Sequence, residues 1–359
     1  MTRIGIVTGG GDCPGLNAVI RAVAKAASQR GWEAVGILGG YEGLLEPCRT
    51  RQLDYHAIDG LLIRGGTILG TANRGRFSAK TGHGESRQLP AELFEEVKRN
   101  LKALGLSALI SIGGDGSLTI AQQMHEHGIP VVGVPKTIDN DLEGTVMTFG
   151  FDSAVACATD ALDRLHTTAE SHNRVMVIEV MGRYAGWIAL YAGVAGGADA
   201  ILIPEIPFDI AIVAQRLRDR DAWGAKFSIV VVAEGAFQKG GALSLVEEAR
   251  DGYSERLGGI GARVCEALAR ETGKETRSVV LGHLQRGGAP TSFDRVLATR
   301  FGGKAVELAQ RGEFGTMVAY APPDIVPLRL EEIVGKTKTV PLDHDLLRTA
   351  KALGVSFGD

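Results

Sequence analysis

Short apolar runs rich in Val, Ile and Leu recur along the chain at residues 4–8, 109–112, 131–134, 175–180, 200–203, 228–233 and 278–281. Amphipathic segments of helical length accompany them, as at 17–28 and 117–127. That alternation predicts βαβ units. Strands that read as continuous apolar runs, with no in-out alternation, are buried on both faces, which requires a parallel sheet covered by helices. The expected fold class is α/β: two doubly wound parallel-sheet lobes with the active site in the cleft between them. A (β/α)8 barrel has the same rhythm and is the alternative. An acidic, polar stretch at 139–144 ends one unit near residue 150, and a second starts at Asp152. Residues 237–261, glycine-rich and charged, read as a mobile insertion, and no internal repeat of fixed period is present.

Composition narrows the function classes. The 39 Lys and Arg residues against 42 Asp and Glu leave a net charge of −3, no electrostatic footprint for nucleic acid or an acidic membrane. No apolar run approaches the roughly 18 residues of a membrane span, and the N-terminus enters a strand-like run without a signal-peptide pattern, so a cytosolic protein is expected. Cys13, Cys48, Cys157 and Cys265 show no paired spacing, which argues against disulfides or a zinc knuckle. The 49 glycines among 359 residues are about twice the usual share of roughly 7%, and they cluster after apolar runs, where they shape loops.

Three such loops carry candidate chemistry. Gly113-Gly114-Asp115-Gly116-Ser117 joins a strand to a helix, so backbone amides and the helix dipole favour a polyphosphate there. An acid in that loop would repel phosphate unless a divalent cation lay between, which makes Asp115 the metal-side candidate; an Asp serving as helix N-cap is the alternative. Lys136-Thr137-Ile138-Asp139-Asn140-Asp141 follows the next strand, and loops at that edge of an α/β sheet gather round the ligand crevice. Asp139 would accept the proton of an attacking hydroxyl, unless it, Thr137 and Asn140 merely form a turn. The loop 9–15 again joins strand to helix but lacks both the GxGxxG spacing and the P-loop Lys-Ser/Thr pair. Arg174, Arg183, Arg277 and Arg286 each fall near a strand end, and converging on one cleft they would clamp a phosphate through bidentate forks. His125 and His127 suit a helix C-terminus, and Trp32, Trp187 and Trp223 are too scattered for a stacking platform.

With Gly-Gly-Asp-Gly-Ser, Thr-Ile-Asp-Asn-Asp, Met-Gly-Arg and Gly-His-Leu-Gln-Arg-Gly-Gly in this order, the chain closely resembles 6-phosphofructokinases of the bacterial type, from about residue 3 to 310. The resemblance implies Mg²⁺-dependent phosphorylation of the 1-hydroxyl of fructose 6-phosphate by a glycolytic, cytoplasmic homodimer or homotetramer. Residues 1–150 would be the donor lobe, rejoined by 286–335, and 151–285 the sugar-phosphate lobe, rejoined by 336–359. By position, Asp139 resembles the base, with Thr137 and Arg183 beside the transferring group, and Asp115 the Mg²⁺ residue. Gly10, Arg74, Gly114, Asp115, Gly116 and Ser117 match the donor site. Thr137, Ile138, Asp139, Met181, Gly182, Arg183, Glu234, His283, Leu284, Gln285 and Arg286 match the sugar-phosphate site. Arg174 and Arg277 match arginines that reach across from another subunit, which leaves one chain catalytically incomplete.

Donor choice turns on two positions. Pyrophosphate-using members carry a bulky acid where this chain has Gly116, which favours ATP here, whereas Lys136 stands where pyrophosphate users have lysine and ATP-only members glycine. Ile120 replaces a small residue expected near adenosine. Asn73 stands where arginine is common, and Arg74 would supply that charge after a one-residue shift. Arg21 matches the effector pocket of regulated members, but Lys25, Tyr55 and His166 replace arginines there, so weak response to ADP or phosphoenolpyruvate is expected. Two rivals share parts of the pattern. NAD and lipid kinases use a Gly-Gly-Asp-Gly loop without the arginine series, and a sugar-phosphate sensor would need the arginines but not Asp139. A Rossmann oxidoreductase lacks its fingerprint.

Overall fold

A computed structural model describes residues 2–72, 75–79, 87–241, 245–247 and 256–359. From the N-terminus the elements are β1 (Arg3–Thr8), α1 (Leu16–Ser28), β2 (Glu33–Ile37), β3 (Thr50–Gln52), α2 (Ala91–Ala103), β4 (Ala108–Gly113), α3 (Asp115–Glu126), β5 (Val131–Pro135) and α4 (Phe151–His172). They continue with β6 (Val175–Val180), α5 (Trp187–Ala195), β7 (Ala200–Leu202), α6 (Ile210–Ala222), β8 (Ser228–Ala233), β9 (Leu245–Glu247), β10 (Arg256–Leu257) and α7 (Ile260–Thr272). The remainder is β11 (Thr276–Val280), α8 (Ser292–Arg311), β12 (Thr316–Ala321), β13 (Asp324–Arg329), α9 (Leu330–Ile333) and α10 (Asp345–Ala352).

Two α/β sheets result, and a barrel does not. The larger has seven strands in the order β13-β12-β5-β4-β1-β2-β3, the smaller four in the order β11-β6-β8-β7. All pairings in the smaller sheet are parallel. Both edges of the larger sheet depart from the expected parallel pattern, since β3 pairs antiparallel with β2 and β13 with β12. At the β12–β13 edge the cause is connection length: only Pro322 and Pro323 separate the strands, enough for a hairpin but not for a helical crossover. Every residue of β4, β6 and β8 is buried, as their unbroken Val/Ile/Leu runs require, and each such side chain contributes about 1.5–3 kcal/mol relative to exposure. The 237–261 segment contains the antiparallel ribbon β9–β10; much of the rest of it lies outside the described residues.

Parallel strands bring their C-terminal ends to one edge, and the two sheets turn those edges toward each other. Arg286, in the 3-10 turn that follows β11, donates from Nη1 to Asp12 O at 3.2 Å, in the loop after β1. The helix α4 runs from the end of the β5 loop to the start of β6 and so joins the sheets. Its first turn is interlocked with that of α8. Asp294 Oδ2 accepts from Ser153 N (2.8 Å) and Oγ (2.6 Å), while Thr291 Oγ1 donates to Asp152 at 2.5 Å and caps Asp294 N at 3.3 Å. Asp294 of α8 therefore caps an amide in the first turn of α4, while α8 is capped by its own Thr291, whose hydroxyl is anchored on Asp152 of α4. Burial pushes the fully buried Asp294 carboxyl up to about 6.

Candidate active site

On the larger sheet, β1 and β4 end side by side, with Gly9 N donating to Ile112 O at 2.9 Å. Ser117 fills the space between the two loops. A Cβ on Gly9 would lie 2.4 Å from Ser117 Oγ and 2.8 Å from Tyr41, and one on Gly113 would lie 2.2 Å from Ser117 Cβ, so both positions require glycine. Tyr41 locks the arrangement by hydrogen-bonding Ser111 Oγ at 2.6 Å and donating to Ser117 O at 2.9 Å. Burial pushes its phenol up to about 12 despite these bonds, so it stays neutral. Tyr41 escaped the sequence reading because it sits in a short 3-10 turn outside any motif.

Helix α3 begins two residues earlier than its pattern suggested. Gly114 is the N-cap, with no side-chain hydrogen bond closing the helix end, and Asp115 is the first helical residue. The N-cap reading of Asp115 is thereby set aside. Its Oδ1 accepts from Gly335 N at 3.4 Å, and Thr119 Oγ1 donates to its carbonyl at 2.9 Å. Gly116 and Ser117 complete a first turn whose amides and dipole suit an anion. Gly10 has a left-handed φ of 75°, and Thr71 Oγ1 donates to its carbonyl at 2.5 Å. Arg74, and Asn73 beside it, lie outside the described residues.

The loop after β5 continues this edge, with Lys136 N bonded to Gly113 O at 2.9 Å. Thr137 Oγ1 accepts from Asp139 N (3.1 Å), and Thr148 Oγ1 donates to Thr137 O (2.7 Å). Asn140, at a left-handed φ of 52°, accepts from Thr148 N at 3.1 Å, and Ile138 is fully buried beneath. The turn-forming work therefore falls to Thr137, Asn140 and Thr148. Asp139 Oδ1 is sealed from solvent with no hydrogen-bond partner among the described residues. Burial pushes that carboxyl up to about 6, the neighbouring Asp141 charge acts in the same direction, and Arg286, Lys136 and Arg183 act against it. A buried acceptor left unpaired is poised to take a proton from a ligand. Lys136 is itself buried, its ammonium donates to Gly11 O, and burial lowers its pKa.

The smaller sheet supplies the opposite wall. Glu234 N donates to Val180 O at 2.9 Å and Gly235 N to Gly182 O at 3.0 Å, zipping the loops after β6 and β8 together. A Cβ on Gly235 would lie 1.9 Å from Arg183 O, so only glycine lets Glu234 and Arg183 share this corner. Burial first, then the Asp139 charge, pushes Glu234 up to about 7, with Arg183 opposing. Lys136, Asp139, Arg183, Glu234 and Arg286 thus form one electrostatic cluster spanning both sheets, with Met181 and Gly182 at its margin.

The four arginines do not all converge within one chain. Arg174 and Arg277 sit at the N-terminal end of β6 and β11, where both pair with Glu275 at 2.8 and 2.5 Å. The six-residue length of β6, about 20 Å, separates them from Arg183. His283 and Leu284 face solvent, whereas Gln285 turns inward, fully buried, and donates to Gly282 O at 3.2 Å. The expected effector residues divide as well. Arg21, Lys25 and Tyr55 line a cavity of about 570 Å³, but His166 instead bonds Gly196 O at 2.7 Å.

The phosphofructokinase family profile matches residues 3–309. The chain belongs to the phosphofructokinase family. An ATP-dependent 6-phosphofructokinase of Chloroflexus aggregans is 55% identical over 99% of this chain and 98% of its own length. A pyrophosphate–fructose 6-phosphate 1-phosphotransferase of Amycolatopsis methanolica is 50% identical, over 94% of this chain and 96% of its own. The structure of phosphofructokinase from Saccharomyces cerevisiae superposes with a TM-score of 0.79 at 31% identity over 92% of this chain, which spans 45% of the yeast chain's length. Phosphofructokinase membership sets aside the NAD-kinase, sensor and oxidoreductase alternatives. Within this phosphofructokinase, Gly335 of the site lies beyond the matched residues.

Proposed function

We propose that the protein transfers the γ-phosphoryl group of ATP to the 1-hydroxyl of fructose 6-phosphate, giving fructose 1,6-bisphosphate and ADP. The observation that carries this reading is the half-buried Asp139, whose Oδ1 has no hydrogen-bond partner among the described residues, facing arginines of the other sheet and adjoining a helix end suited to phosphate. In the transfer, the proton of the 1-hydroxyl passes to Asp139, a bond forms between that oxygen and the γ-phosphorus, and the β–γ bridging bond breaks toward ADP. The Gly10 loop and residues 114–117 would hold the donor phosphates. Thr137 and Arg183 would stand beside the moving group, and Met181, Gly182, Glu234, His283 and Arg286 would hold the sugar phosphate. The residues fit Mg²⁺, since Asp115 offers a hard carboxylate oxygen at the helix end where phosphates dock, and Mg²⁺ takes one or two carboxylates with substrate phosphates. When bound, the ion would neutralise charge on the transferring and leaving oxygens.

In this reading a lone chain is incomplete, because the Arg174 and Arg277 that serve its Asp139 belong to a second copy. Support comes from β11, an edge strand, where Val280 and, in the turn that follows, Leu284 are 56% and 69% exposed. An apolar edge of this kind is a surface for another chain. A homodimer or homotetramer would carry each pair of arginines to its neighbour's site. No helix among the described residues is long and apolar enough to cross a membrane, and a kinase acting on these metabolites works in the cytoplasm. Pyrophosphate as donor is the second reading, favoured by Lys136 and by the Amycolatopsis relative's activity.

One assay tests the proposal: purified protein with fructose 6-phosphate and Mg²⁺, given ATP or pyrophosphate in parallel. ATP turnover should predominate; exclusive use of pyrophosphate would reverse the donor assignment, and no product from either would remove the reaction. Mixing Arg277→Ala chains with Asp139→Ser chains should restore activity that neither has alone, since one kind of mixed site is intact. Failure of exchanged subunits to complement would confine the site to one chain.

A pH profile gives a further check. A base must be ionised to act, so kcat/KM should fall as pH drops through about 6. The phosphate of the substrate titrates near 6 as well. Asp141→Asn separates the two, because removing the neighbouring negative charge lowers the Asp139 pKa and leaves the substrate unchanged. The acid limb should move to lower pH in the variant; an unmoved limb would assign it to the substrate.

A further inference from the structure

Residues 335–340 run past both halves of the site. Gly335 N donates to Asp115 Oδ1 at 3.4 Å, on the donor side. Thr337 then forms an antiparallel bridge with Leu142, and Lys338 N donates to Asp141 O at 2.9 Å. The Lys338 ammonium reaches Asn140 Oδ1 at 3.0 Å, Thr145 O at 2.8 Å and Val146 O at 3.0 Å, all in the loop that begins at Asp139. Three donors meet three oxygens, so the ammonium is fully used in holding that loop closed. The same segment is fastened to the smaller sheet's side. Trp187 Nε1 donates to Lys338 O at 2.9 Å, and Glu205 accepts from Val340 N at 2.8 Å and from Gly186 N at 3.0 Å.

Asn140 depends on this support. It holds a left-handed backbone, which a non-glycine residue keeps only where its surroundings over-determine it, and its Oδ1 is shared by Thr148 N and Lys338. Asp139 is the preceding residue, so a relaxation at Asn140 rotates the carboxylate away from the 1-hydroxyl.

We infer that residues 335–340 form a strap that sets the separation of Asp115 from Asp139, with Lys338 as a positioning residue for phosphoryl transfer. The inference rests on the reading of Asp139 as base. Asp115 opens α3 after β4 and Asp139 lies in the loop after the neighbouring β5, joined at their base by Lys136 N and Gly113 O; the strap is a further element, which bonds Asp115 directly and reaches Asp139 through Asn140 and Asp141. Misplacement of a reacting group by about 1 Å lowers rate on the order of 10²-fold without removing the substrate's own contacts.

Lys338→Met keeps the stem and removes the ammonium. Its kcat should fall on the order of 10- to 10²-fold, with KM for fructose 6-phosphate within about threefold of wild type, and Lys338→Arg should recover part of the loss. Unchanged kcat, or a loss confined to KM, would overturn the inference. Trp187→Phe loosens the strap more gently by deleting one donor, so it reports even if Lys338→Met does not fold; a several-fold lower kcat at constant KM is expected, and no change counts against the strap. Asp139→Ser is measured alongside. If that variant turns over normally the base reading fails, whereas an inactive Asp139→Ser beside a fully active Lys338→Met sinks the strap alone.

Discussion

Asp139→Ser is expected to lower kcat by about 10²–10⁴-fold, the range a positioned general base contributes, with KM for fructose 6-phosphate little changed. The split follows from geometry. Asp139 Oδ1 has no protein partner among the described residues, so its loss frees no arginine or amide that holds the sugar phosphate. The binding charges, Arg183 and Arg286, stay in place on the other wall, relieved of one neighbouring anion. Steady-state kinetics with saturating ATP and Mg²⁺ would decide the matter. Turnover near wild type would remove Asp139 from the chemistry, and a KM rise of the same size as the kcat loss would make it a binding residue.

Gly116→Asp should reduce ATP turnover on the order of 10²-fold and pyrophosphate turnover much less. A carboxylate about 4 Å from a phosphate repels it by about 4 kcal/mol at an effective dielectric of 20, and screening by water and Mg²⁺ reduces this by a part. The added group would stand in the first turn of α3, where the longer donor must pass. The fold should tolerate it well, since an acid there suits the helix dipole and Asp propensity exceeds that of glycine. Loss of activity could then not be ascribed to unfolding. Gly116→Ala distinguishes volume from charge. Equal turnover of wild type and Gly116→Asp with ATP would undo the donor argument.

The sequence was most informative where burial is two-sided. The bounds of β6 and β8 matched because every position in them is inside, leaving no reason for a polar residue. Reading failed at edges. Strand β11 begins earlier than its apolar run because its first two residues, Thr276 and Arg277, are polar, and β13 has no buried position and carries Pro327, which edge strands tolerate. Asp115 and Asp139 were readable because local chemistry declares them: glycines before a helix, and an acid after a buried strand. Lys338 gave no such signal. It lies 198 positions from Asn140 in a polar stretch, and its role depends on contacts that arise only when the chain's end returns to the site. Likewise, four arginines near strand ends looked equivalent, and only the direction of each strand shows that Arg174 and Arg277 stand at the opposite end from Arg183 and Arg286.

The sealed oxygen of Asp139 also divides two properties of the molecule along the pH axis. Folding raises its pKa from an ordinary 3.8 to about 6, so the native state holds that proton more tightly than the unfolded chain does. The stabilisation from this group is fully present below about 3.8 and is lost as pH rises to about 6; activity changes the other way over the same interval. Mild acid therefore switches the chemistry off while it relieves the fold of a buried charge, a resting condition from which neutralisation alone restores turnover.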